Sequence, residues 1–163
     1  MKAEISSLQL HIFNGEWDVV EYGDIAASCG SGYRFNLHRA TPLGAEWRLP
    51  RESIRAQADD IVRWLEEKDW RGIVNRSYPT GLGTATIEAS KPAAHIDDLL
   101  VKISTGKVAD GISVRATGAC EPGDIEELDE LMFPDGFSGN TFPPTEHPTE
   151  TPKFGMSTPK PGS

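Results

Sequence analysis

One stretch, Pro50 to Glu67, repeats its apolar residues at helical spacing: Ile54, Ala58, Ile61 and Leu65 follow at intervals of four, three and four. That spacing gathers them on one face, while Arg55, Asp59, Arg63 and Glu66 fall on the others and Trp64 widens the apolar stripe. Pro50 suits a first helical turn, where its missing N–H costs nothing, and Asp69-Trp70-Arg71-Gly72 ends the helix with Gly72 as the terminating residue. A helix with a single apolar face must cover something, so the rest of the chain has to supply a sheet.

Five period-two segments answer that demand. Tyr33 to Arg39 alternates Tyr33, Phe35 and Leu37 with Arg34, Asn36 and His38. Ile73 to Tyr78 and Thr84 to Ala89 flank Pro79-Thr80-Gly81-Leu82-Gly83, whose proline and glycines are hairpin-loop chemistry. Leu99 to Ser104 and Ile112 to Gly118 form a second hairpin around Thr105 to Gly111, with Ile112, Val114 and Ala116 facing inward. The expected fold is α+β, one main helix packed on an antiparallel sheet of about four to six strands, cystatin-like or ferredoxin-like. The choice turns on Ala93 to Leu100, a loop then a strand in one case and a second helix in the other. Upstream, Leu8 to Phe13 and Trp17 to Tyr22 read as an edge hairpin around Asn14-Gly15.

Residues 1–123 thus form a single α+β domain. Residues 124–133 form a short acidic amphipathic segment whose Ile125, Leu128, Leu131 and Met132 can dock on the domain or on a partner. Residues 134–163 are Pro/Thr-rich with too little apolar surface to offset the entropy of ordering, and are expected to be a disordered C-terminal tail. Most of the net charge of -9 sits at that end: residues 1–120 hold 14 Lys and Arg against 16 Asp and Glu, residues 121–163 hold 2 against 9. Such a chain repels phosphate backbones, so nucleic acid is not an expected partner. No apolar run is long enough for a transmembrane segment. Met1 to Leu10 lacks the apolar core of a secretory signal, so an envelope location requires a leader ahead of Met1.

Cys29 and Cys120 bracket the strands. If the first strand extends back through Gly30 to Gly32, Cys29 is in register with Tyr33, Phe35 and Leu37, and Cys120 with Ile112, Val114 and Ala116, so both point to the core side. The bland alternative is two separate buried thiols. Their flanking positions and the lack of metal-type spacing favour a disulfide, which implies an oxidising compartment.

No catalytic residues, cofactor or metal ligands are expected. His11, His38, His95 and His147 are scattered, and neither HExxH nor CxxC occurs. His95-Ile96-Asp97-Asp98 reads as solvated surface, and Gly81-Leu82-Gly83 lacks the third glycine of a phosphate loop. Ser28-Cys29-Gly30-Ser31-Gly32 is no nucleophile elbow. The polar face of the sheet should display Arg34, His38, Glu88, Lys102 and Arg115. These are either a shallow site for an anionic ligand or acidic partner segment, or a solvated face with cross-strand charge pairs.

A cysteine just ahead of Tyr33-Arg34-Phe35-Asn36-Leu37, a helix ending near Trp70, paired strands, Thr117-Gly118-Ala119-Cys120 and a Pro/Thr-rich C-terminus follow in order. Over about residues 27–121 this layout resembles the soluble domain of actinobacterial, mycobacterial LppA-type lipoproteins. The resemblance implies an envelope location and supplies no catalytic residues; the chain departs from it in having no lipobox cysteine near its start. The expectation is a non-enzymatic extracytoplasmic binding domain of unknown ligand, with a protein as the expected partner. The alternative is a cytosolic acidic interaction module of the immunity or antitoxin type, whose carboxylates imitate nucleic acid or cover a basic partner site.

Overall fold

The amphipathic stretch forms helix α2, Ile54–Glu67, in a computed structural model that describes residues 1–20, 24–43, 46–78, 83–136 and 145–149. It starts later than Pro50 predicts, because Ser53 takes the N-cap and its Oγ accepts a hydrogen bond from Ala56 N at 3.1 Å. Its end also differs. Asp69, at φ 60°, makes the left-handed turn and Trp70 N closes on Leu65 O, whereas Gly72, at φ 62°, serves a bulge inside the next strand.

The strands are β1 (Trp17–Val19), β2 (Ile25–Cys29), β3 (Gly32–Ala40), β4 (Arg71–Tyr78), β5 (Thr84–Lys91), β6 (Ile96–Ser104), β7 (Gly111–Gly118), β8 (Glu121–Pro122) and β9 (Thr145–Glu146). They make one antiparallel sheet in the order β4-β5-β6-β7-β3-β1-β9, with β2 and β8 also paired to β3. Nine described strands exceed the expected four to six. Beyond the five alternating segments and β1, the expected second arm of the N-terminal hairpin, the surplus is β2, which lies with β1 along one side of β3, and the two-residue strands β8 and β9. Ala93 to Leu100 is not a helix: a 3-10 turn at Pro92–Ala94 precedes β6, so the second-helix order fails.

One face of the sheet carries the core. Ile87, Val101 and Val114 lie side by side across β5, β6 and β7, as do Ala89, Leu99, Ala116 and Leu37 across β5, β6, β7 and β3. Helix α2 covers β4 to β6 with Ala58, Ile61, Trp64 and Leu65. A second helix, α1 (Lys2–Ile12), lays Ile5, Leu8 and Ile12 over the region of β7. The expected N-terminal hairpin is therefore wrong on its first arm. Leu8, Leu10 and Ile12 alternate, but Ile5, Leu8 and Ile12 also fit a helical face, and burial against the sheet decides between the two periods. Asn14-Gly15 joins α1 to β1, where Trp17 is fully buried and donates from Nε1 to Phe13 O at 3.0 Å.

Past β8, helix α3 (Ile125–Met132) is capped by Asp124, whose Oδ1 accepts from Glu126 N at 2.8 Å. It packs against β2. The expectation of no structure beyond Pro134 fails at Thr145–Glu146, which pair with β1. Residues 137–144 and 150–163 of the proposed tail lie outside the described residues.

Candidate functional site

The cysteines are bonded, with Cα atoms 5.9 Å apart. The pairing was legible but the facing was not. A turn at Gly30–Ser31 reverses the chain, so Cys29 stands opposite Gly32 on the face of β3 that carries Arg34 and Asn36, not Leu37. Cys29 is buried and Cys120 exposed. The bridge therefore fastens the start of β8, and α3 beyond it, to the end of β2, outside the core cluster. Of the docking residues, Ile125, Leu128 and Met132 are half-buried, while Leu131 is 81% exposed and does not pack on the domain.

The five polar-face residues share one face, away from α1 and α2. Register sets Glu88, Leu100, Arg115 and His38 in a row across β5, β6, β7 and β3, a span of about 14 Å at the usual strand spacing. Lys102 lies one row away between Thr86 and Ser113, and Arg34 two rows along β3 from His38. Leu100 separates Glu88 from Arg115, and Glu88 pairs instead with Arg76 at 3.0 Å. Arg34, Arg76, Lys102 and Arg115 face Glu88, Asp98 and Asp18 on this surface, a cationic excess in an acidic chain.

A second constellation is one that local sequence patterns missed. Arg39 continues the inward set of β3 beyond Leu37, and its side chain is 1% exposed. Its guanidinium grips Asp24 with two bonds, Nη1 to Oδ1 at 2.6 Å and Nη2 to Oδ2 at 2.8 Å, and Nη2 reaches Glu146 Oε2 at 2.8 Å. Lys2 Nζ closes the ring at 3.2 Å from Asp24 and 2.7 Å from Glu146. Burial works to lower the Arg39 pKa, but the hydrogen bonds and charges of Asp24 and Glu146 outweigh it and hold the group above its ordinary range. The one available signal was a charge at an inward strand position, which demands a buried partner. Elsewhere Asp60 joins the helices, meeting His11 Nε2 of α1 at 2.9 Å and Arg51 at 3.0 Å, with His11 stacked on Trp64.

His95 is exposed and meets Glu121 at 2.8 Å. Among the described residues no group of three His, Cys, Asp or Glu side chains is placed to hold a metal ion, and no helix is long and apolar enough to cross a membrane.

No protein-family model and no curated protein matches the chain. A solved structure similar to it is that of a DUF4853 family protein from Actinomyces odontolyticus ATCC 17982, at 18% identity and a TM-score of 0.42. The match covers 76% of this chain and 65% of that one, so the chain spans just under two thirds of that protein's length.

Proposed function

We propose that the chain is a non-enzymatic extracytoplasmic binding domain that recognises an acidic protein segment on the open face of its sheet. The observation that carries this reading is the Cys29–Cys120 bridge, since such bonds persist in oxidising compartments. The layout shared with LppA-type lipoproteins agrees with an envelope location. The face itself supports the partner class: Arg34, Arg76, Lys102 and Arg115 give it a positive lean that suits an acidic segment. An acidic decapeptide measured by calorimetry at low salt should bind the full chain, and Arg76→Glu with Lys102→Glu should weaken it at least tenfold. Equal binding by the variant removes the face from the proposal.

The exposed carboxylates of α3, Glu126, Glu127, Asp129 and Glu130, favour a second reading as a cytosolic acidic module. Mass spectrometry of natively produced protein separates the two. Free thiols at both cysteines would reject the extracytoplasmic reading.

A further inference from the structure

We infer that the outer edge of β1 is a strand-addition site for an extended peptide bearing a carboxylate, and that the chain's own Thr145–Pro148 occupies it as a resident ligand. This surface is distinct from the open face, so either proposal can fail alone.

The receptor half consists of residues outside the resident segment. Asp24 holds Arg39 from two sides, and Lys2 sits over the same carboxylate at 14% exposure. Among the described residues, two cations and one carboxylate leave an excess positive charge in a buried place, which is costly until a second anion arrives. Glu146 supplies it from 107 residues away in sequence. It enters as a strand: Glu146 pairs with Trp17 and Thr145 with Asp18, so the glutamate side chain falls on the core side next to Arg39 and the threonine on the other. Pro148 is buried two residues on. Backbone pairing for affinity and a charged pocket for alternate side chains is the pattern of peptide recognition by strand addition, here reading Glu-x-Pro.

The resident pairs through only two residues, and twelve positions separate the end of α3 from β9. Because the resident belongs to the same chain it competes intramolecularly, at an effective concentration on the order of millimolar, enough to exclude a free peptide of equal affinity.

The probe is a fluorescein-labelled peptide with the sequence of residues 143–150, titrated by anisotropy into the full chain. Glu146→Lys sets a cation against Lys2 and Arg39 and expels the resident. That variant should bind the peptide at least tenfold more tightly than the unaltered chain, and a peptide with glutamine in place of Glu146, its Glu150 kept, should lose the gain. Glu146→Gln, a milder change, supplies the same comparison if the lysine variant does not fold. No gain in a folded variant, or equal binding of the glutamine peptide, overturns the proposal. Failure of both variants to fold also overturns it, because a replaceable ligand is not a condition of folding.

Discussion

Opening the Cys29–Cys120 bridge should cost far more stability than its position outside the core suggests. The cysteines are 91 residues apart in sequence, and on the chain-entropy account a closed loop of that size withholds about 4–5 kcal/mol of freedom from the unfolded ensemble. For a folded body of this length that is a fall of about 15–20 °C in melting temperature. Two routes should agree: reduction of the natural chain, which reaches the bond because Cys120 is exposed, and the variant Cys29→Ala with Cys120→Ala. They should differ by no more than about 1 kcal/mol, the burial of the single Cys29 sulfur. Guanidinium titration gives both stabilities, and the denaturant slope should rise as the unfolded chain expands. A loss below about 2 kcal/mol by both routes would refute the entropic reasoning.

Arg39→Met should destabilise by about 3–5 kcal/mol, because among the described residues it leaves Asp24 and Glu146 with Lys2 as their one remaining cation. A raised guanidinium pKa contributes stability fully below the unfolded value and loses it only above the folded one, so the deficit, read by denaturant titration, should be the same at pH 6 and pH 9. Ser53→Ala removes the cap of α2 and should cost about 1 kcal/mol in thermal melts. Gly72→Ala should cost about 1–2 kcal/mol through its positive φ alone, since Ser90 Oγ at 4.0 Å leaves room for the added carbon; a neutral result would place the bulge elsewhere.

Segments with one period were legible and those with two were not. Helix α2 and the strands from Tyr33 to Gly118 each repeat in one way, and the structure keeps all of them within a few residues. Residues 5–12 repeat in two ways, and the outcome depends on what lies opposite, which local pattern does not contain. The helical choice has a visible cost: Gln9 becomes fully buried with neither amide atom hydrogen-bonded. The polar face was recovered whole for a related reason. Once the core rows fix the register of β5, β6, β7 and β3, the alternate positions Glu88, Lys102, Arg115, His38 and Arg34 are carried to the other side together. The same logic misplaced Cys29, because two residues of turn were counted as strand.

The buried charges follow a different rule. Alternation from Tyr33 through Leu37 puts Arg39 inside, and a guanidinium inside a sheet requires carboxylates, yet nothing local says which ones. They come from Asp24, just before β2, and from Glu146, beyond every strand the alternation pattern reveals, with Lys2 of α1 balancing the pair. Three segments with no shared periodicity are thus tied to one side chain. Two of them, α1 and β9, are elements that periodicity misread or left without structure. An inward charge on a strand is therefore a sequence-visible demand for distant partners, and here it leads to the chain's own C-terminal segment as the group that neutralises the site.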